Sequence, residues 1–394
     1  MKKILAILLV LAMVFSLVAC ANNGPADDGS TNEQPTANET QPTDNNGQDE
    51  TTPPATTPGG GTIGFVTDDV DHWAREELHI IYFNFNPTGI TGQITLALEQ
   101  LSEVYNFRLT QQTANNDSDA FINGLQTILI AGDADGLIVD ITEELATRSA
   151  DILREFGIPA VCIFNAAVDF DGNMVIPSVN SDQFGNGVTQ LTYLADHYRD
   201  FWGDMDSSEI ALIVVDHSLN LNLHERYRGA RATFEDRFPG QPVFHGDTLA
   251  TSSEDAFSTV TSLITANPQI QYWFIVATLE DLGLGATRAV EALGIEDRVL
   301  ITSSGTSILP VQWDEGWEGP WIANYAVPAF LFAGTALFGL FAMIDGRATM
   351  ETLWPDTFLP GDRAARFTLS AHMMTRETYQ DHIAGFMRAF GVEP

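Results

Sequence analysis

Four features of this sequence could carry chemistry: the pair His224-Glu225, the acidic run Asp169-Phe170-Asp171-Gly172-Asn173, a large pool of carboxylates, and the two cysteines Cys20 and Cys162. A zinc-binding helix needs a second histidine one turn after the first, and His224-Glu225 is followed by none. The acidic run has the beginning of a calcium loop, but Asn180 stands where the bidentate glutamate should be, so a plain turn and no metal are expected. Neither a Gly-x-Ser-x-Gly elbow nor a Gly-x-x-x-x-Gly-Lys phosphate loop occurs. Among 53 acids a carboxylate pair for glycoside hydrolysis is always available, yet no spacing specifies one. These residues point to binding without catalysis and without a cofactor.

The charge balance narrows what could be bound. With 18 basic against 53 acidic residues, net −35, the chain would be repelled by a nucleic-acid backbone and by an anionic membrane surface. Cys162 lies in the apolar run Ala160–Phe164 and reads as a buried thiol. Cys20 has a different setting. A basic start at Lys2 and Lys3 leads into an uncharged apolar run from Ile4 to Val18, which is the order of an export signal and is short for a membrane span. The residues Leu17-Val18-Ala19-Cys20 resemble the lipobox of bacterial lipoproteins, which implies a signal peptide over residues 1–20 and a diacylglyceryl group on Cys20. Lipidation of Cys20 would leave Cys162 without a partner for an internal disulfide. From Ala21 to Gly61 the composition shifts to Asn, Thr, Pro, Gly, Asp and Gln with no large apolar side chain, so residues 21–61 are expected to form a disordered tether. Such a chain reaches about 35 Å, enough to hold a folded body off a lipid surface.

The body, from Thr62 onward, alternates short apolar runs with helix-period segments. Strands are expected at Leu78–Phe85, Phe107–Gln111, Gly136–Asp140, Ala160–Asn165, Glu209–Val215, Tyr272–Ala277 and Val299–Thr302. Helices are expected at Thr91–Tyr105, Asp117–Ala131, Glu143–Phe156, Gln183–Phe201, Asn222–Phe238, Ser253–Ala266 and Leu282–Leu293. Strands alternating with long helices imply parallel sheets covered on both faces, an α/β protein. A break near Pro177–Asp182 divides the pattern into two batches, which favours two lobes over one very wide sheet. The uncharged stretch Val327 to Ile344 meets the lower limit for a membrane span, but Pro328 suits a first helical turn and Gly334 and Gly339 suit close packing, so a buried helix is expected.

Several short stretches, in order, resemble the ribose- and galactose-type solute-binding lipoproteins of bacterial ABC importers. They are Gly136-Leu137-Ile138-Val139-Asp140, Gly157-Ile158-Pro159-Ala160-Val161, Val179-Asn180-Ser181-Asp182, Arg226-Tyr227-Arg228-Gly229, Leu284-Gly285-Ala286 with Ala292-Leu293-Gly294, and Gly346-Arg347-Ala348-Thr349. The resemblance implies the type I periplasmic-binding-protein fold: two lobes, each a parallel sheet with helices on both faces, hinge-linked around a cleft. It implies a first lobe of residues 62–181 plus 325–345 and a second of 182–324 plus 346–394. Ligands of open parallel sheets sit outside the carboxyl ends of the strands, so in this family the site lies where two such edges face each other. The implied contacts are Asn84, Phe85, Asn86, Asp140 and Asn165 from the first lobe and Arg226, Glu280 and Ser304 from the second, with Ser181, Asp182 and Asn324 near the crossovers. Carboxylates, amides and a guanidinium suit hydroxyls that both donate and accept, and an aromatic face suits the C–H side of a sugar.

This chain departs from the pyranose-binding pattern, with Asn165-Ala166 where relatives carry Asp-Arg, Leu279-Glu280 where they carry Asn-Asp, and Ser304 where they carry Asp. The implied function is capture of a small polar solute, a sugar or polyol, and its delivery to an ABC permease by a lipid-anchored monomer on the outer face of the membrane. The runner-up is a sensory lipoprotein that uses the same cleft to signal to a membrane receptor kinase.

Overall fold

The computed structural model describes residues 70–326, 328–354, 359–369 and 371–393. Cys20 and the expected signal and tether segments lie outside the described residues. The first half of the body runs β1 (Leu78–Asn84), α1 (Ile90–Val104), β2 (Phe107–Thr113), α2 (Ser118–Ala131), β3 (Gly136–Asp140), α3 (Ala146–Phe156), β4 (Ala160–Ile163) and β5 (Ser178–Ser181). The second half runs α4 (Gln183–Trp202), β6 (Ile210–Asp216), α5 (Leu221–Arg237), β7 (Val243–Asp247), α6 (Ser253–Ala266), β8 (Tyr272–Ala277), α7 (Glu280–Leu293), β9 (Val299–Ser304), α8 (Leu309–Asp314) and β10 (Trp321–Ala326). The chain ends with α9 (Ala329–Ile344), β11 (Arg366–Leu369), β12 (His372–Thr375) and α10 (Tyr379–Ala389).

Two six-stranded sheets result, ordered β2-β1-β3-β4-β5-β11 and β7-β6-β8-β9-β10-β12. Among the described residues, every pair of these strands is parallel except β12, which runs antiparallel to β10. Period-2 alternation on strands buried on both faces splits each lobe into two cores. In β1, Ile80 and Tyr82 face the layer of α1 and α9, while Ile81 and Phe83 face the layer of α2 and α3. In β6, Leu212 and Val214 pack with Phe234 of α5, while Ala211 and Ile213 pack with Val260 of α6. The helices start and stop where local chemistry directs. Asp117 accepts a hydrogen bond from the Ala120 N–H to cap α2, and Gly132 ends it in the left-handed region at φ 65°.

The apolar stretch before Ile344 is α9, whose Leu331, Phe338 and Phe341 are fully or nearly fully buried in the first lobe. No described helix is long and apolar enough to cross a membrane. The expected lobe boundaries need correction after Asp345. Strand β11 pairs with β5, and Trp354, Ala365 and Leu369 join the first lobe's core. The chain then crosses to β12 in the second sheet, and Phe390 and Val392 return to the first core. Residues 325–326 close β10 and so belong with the second lobe. A four-residue strand has too few positions to show a period, which is why residues 346–394 read as one block.

Candidate functional site

Residues beyond the carboxyl ends of both sheets enclose a cavity of about 410 Å³, lined among others by Asn86, Gln93, Phe164, Ser181, Arg226 and Ser304. A wider chamber of about 890 Å³, lined by Phe85, Asn165, His217 and Asn222, shares Thr251 with it. The lobes meet here directly. Thr306 Oγ1 donates to Gln93 Oε1 at 3.0 Å, and Asn222 Nδ2 donates to Asn165 Oδ1 at 2.9 Å.

Arg226 is the dominant group of the second-lobe wall. Helix α5 is started by Asn220, whose Oδ1 accepts from the Leu223 N–H. It then lies unusually close to α4. A Cβ on Gly187 would stand 1.9 Å from the Arg226 carbonyl oxygen, and one on Gly229 would stand 2.1 Å from the Phe184 carbonyl oxygen. Only glycine permits that approach, which sets Arg226 beside the first turn of α4. Its Nε donates to Gln183 Oε1 at 2.7 Å and its Nη1 to the Thr278 carbonyl at 2.6 Å. No carboxylate pairs with it among the described residues, and burial pulls the guanidinium down to about 10, with Tyr325 and Asp216 opposing. It stays protonated at neutral pH, with N–H groups left over from its five donors at the cavity wall. Arg228 turns outward to Glu225, as the helical spacing requires.

Glu280 also reaches the cavity wall, but its acceptors are already used. Its Oε2 accepts from the Ser307 N–H and hydroxyl, each at 2.7 Å. Its Oε1 accepts from the Ile308 and Leu309 N–H groups and from Asn324 Nδ2. Glu280 therefore braces the loop that starts α8. Asn324 is fully buried, accepts from Ser303 and Trp321, and lines neither chamber. Asp182 also lines neither chamber and caps α4 through the Gly185 N–H. Ser304 lines the cavity while accepting from Asn186 Nδ2 at 2.8 Å, and Ser181 lines it while accepting from Gln183.

In the first lobe Asn86 lines the inner cavity, whereas Phe85 and Asn165 line the wider chamber. Asn84 and Asp140 line neither. The Asn84 amide is fully buried and faces the Tyr82 hydroxyl without closing a hydrogen bond of normal geometry. Burial raises the Asp140 carboxyl to about 7, with the Phe85 backbone N–H pulling it back. Burial likewise pushes the Cys162 thiol up to about 12, so it is unreactive at neutral pH. The Asp169 carboxylate is held by its own turn, accepting from the Asp171 and Asn173 N–H groups.

Several lining groups were not singled out in the sequence. Phe164 and Phe332 form an aromatic wall, with ring centroids 4.7 Å apart. Phe164 sits at φ 65°, a strained conformation for a bulky residue, and strain of this kind concentrates at functional sites. Its place directly after the apolar β4 run was visible; its backbone conformation was not. Gln93, Gln183 and Asp281 lie in first turns of helices that follow strands, and that position is the signal that could have found them.

No curated protein matches the chain. The sequence pattern of a periplasmic binding protein domain matches residues 88–317, more than half its length. Among solved structures, a periplasmic solute-binding protein of an Actinobacillus succinogenes 130z ABC transporter, with bound D-allose, superposes at TM-score 0.60. It is 16% identical and covers 78% of this chain and 100% of its own. The Caulobacter myo-inositol binding protein superposes at TM-score 0.60 with 16% identity, over 78% of this chain and 97% of its own. A periplasmic ribose ABC transporter protein from Conexibacter woesei DSM 14684 gives 0.62 with 16% identity, over 80% and 98%. At such identity the likeness establishes the fold, that of type I periplasmic binding proteins. With sequence pattern and topology in agreement, this chain belongs to the periplasmic binding protein domain family.

Proposed function

We propose that the chain is an extracytoplasmic solute-binding protein, anchored by a lipid on Cys20, that captures a sugar or cyclitol and passes it to an ABC permease. The observation that carries this reading is the 410 Å³ cavity, where a half-buried Arg226 without a carboxylate partner shares the lining with the Phe164–Phe332 wall. That volume lies at the small end of the range for small-molecule sites, about 300–1,000 Å³, and suits one sugar-sized ring. The lining combines hydroxyls, amides and an arginine with aromatic faces, which is what a polyol ring needs on its two sides. D-allose and myo-inositol in the two ligand-bound relatives are of the same chemical class. The lobes would close over the ligand about their crossovers, and the monomer would carry it to the permease.

A thermal-shift screen of the purified protein against aldoses, cyclitols and nucleosides should give a raised melting temperature for a sugar or cyclitol, because a ligand bound by the folded state stabilises it. Replacing Arg226 with Ala should weaken that ligand about ten- to a hundredfold by calorimetry, the loss expected for hydrogen bonds from a charged group, about 1.5–3 kcal/mol. Unchanged affinity would move the site elsewhere in the cleft. For the anchor, Cys20→Ser should abolish fatty-acid labelling and release the protein from the membrane fraction. Continued labelling of that variant would refute the lipidation.

A further inference from the structure

Behind the cleft wall, three metal-ligating side chains from three different elements converge. Asp216 is the last residue of β6, His245 lies in β7 and His224 in the first turns of α5. Asp216 Oδ2 lies 3.0 Å from His224 Nδ1 and 3.2 Å from His245 Nε2, and the three ligand atoms all lie within 4.8 Å of one another. Around a four-coordinate ion with bonds of about 2.0–2.1 Å, neighbouring ligand atoms stand about 3.3 Å apart, which both Asp216 spacings approach, while the two imidazole nitrogens need only close from within 4.8 Å.

A second observation is independent of those distances. The Asp216 side chain is fully buried, and its other oxygen, Oδ1, has no hydrogen-bond partner. A buried carboxylate oxygen left without a donor is costly unless a cation shares the site. The two imidazoles are about one-third exposed, 33% and 30%, which gives an entry path. Their planes are fixed by Tyr227, whose ring lies 5.1 Å from His224 and 4.2 Å from His245. Among the described residues the other histidines lack this setting; His197, for example, has one carboxylate partner, an exposed Asp200 one turn away, and packs against Tyr193.

We infer that Asp216, His224 and His245 form a binding site for a divalent transition-metal ion, zinc in the first instance. Two imidazoles and one carboxylate are a borderline donor set that prefers such ions to calcium or magnesium. Three protein ligands leave a position for solvent or for Asp216 Oδ1. The ion would tie β6, β7 and α5 together two residues before Arg226, at the base of the loop from His217 to Asn220 that lines the wider chamber. The helix pattern in the sequence could not disclose this site, because the partner of His224 comes from the neighbouring strand and not from the next turn.

The test uses the full chain, dialysed against chelator and titrated with Zn(II) by calorimetry and with Co(II) by visible absorption. One equivalent of Zn(II) is expected, with d–d bands from Co(II) in a low-coordinate N/O site, and Zn(II) should raise the melting temperature. His224→Gln and His245→Gln should each weaken Zn(II) by at least about tenfold to a hundredfold, since loss of a supporting partner alone has that effect. The double variant should bind none at this site, while His197→Gln should behave as wild type. Because both histidines are partly exposed, the variants should fold, which far-ultraviolet circular dichroism checks. Absence of a one-equivalent site in the wild type, or undiminished binding by the double variant, would overturn the inference and leave Asp216 as a carboxylate hydrogen-bonded to its two histidines alone.

Discussion

Asp140 ends and Glu280 follows the third strand of its sheet, β3 and β8 respectively, and both are buried carboxylates, yet the protein treats them oppositely. Glu280 receives five hydrogen bonds, three from backbone N–H groups and two from side chains. Asp140 is raised to about 7 by burial, and the Phe85 N–H offsets only part of that. The difference shows that a polar residue at a strand's carboxyl end is not yet a site residue. What decides its role is how many donors the surrounding loops direct at it. Glu280 is a brace because the chain from Ser307 to Leu309 turns its N–H groups inward; Asp140 is held up at about 7 because it is buried with only the Phe85 N–H to offset the burial.

The comparison breaks most visibly at Glu280. Substitution by Ala would strand the Ser307, Ile308 and Leu309 N–H groups and Asn324 Nδ2, so it should lower stability by about 3–5 kcal/mol in urea denaturation. Glu280→Gln should cost less, since it keeps the shape and part of the acceptor set. A small loss in the Ala variant would mean that the α8 loop can find other acceptors.

At Asp140 the expected sign reverses. The native carboxyl keeps its proton up to about pH 7, whereas in the unfolded chain it loses it near pH 4. Between those values the native state binds more protons, so this group's contribution to stability is present at low pH and is lost as pH rises through 7. Asp140→Asn removes the slope, and should stabilise the protein at pH 8 by about 2–4 kcal/mol with little gain at pH 4. Thermal melts of both proteins across that range decide it. A variant no more stable at pH 8 would show that the carboxylate is better solvated than its burial implies.

Much of the fold was legible because long strands and helices carry their period openly. Tyr272–Ala277 and Ser253–Ala266 agree with expectation at both ends, and Ile210–Asp216 differs by one residue at each. Strands β5, β11 and β12 have four residues each, and Val243–Asp247 is half polar, so none offered a period to read. At the site, Arg226 was legible because a helix directly after a strand aims its first turns at the sheet edge. Asn324 and Asp182 were not, because a single polar letter reads the same whether it faces a ligand or caps a helix. The metal triad was hidden for a related reason: Asp216, His224 and His245 are neighbours only once β6, β7 and α5 are packed.

The smallest expected effect concerns how first-lobe groups obtain partners. Glu280 finds all of its donors within its own lobe, whereas Gln93 and Asn165 reach across the cleft, to Thr306 and Asn222. Thr306 lines the inner cavity, so its substitution would mix ligand contact with lobe contact. Asn222 lines only the wider chamber, and Asn222→Ala therefore isolates the cross-lobe bond. A neutral hydrogen bond contributes about 0.5–1.5 kcal/mol net, which corresponds to a loss of affinity of roughly two- to tenfold. The loss should arise by shifting the open and closed populations and so appear together with a larger radius of gyration in small-angle scattering of the ligand-free protein. Melting temperature without ligand should barely move, since neither lobe's core is touched. If Asn222→Ala instead weakened binding as strongly as Arg226→Ala, with no change in the ligand-free radius, Asn222 would be a direct ligand contact and the ligand would extend into the wider chamber.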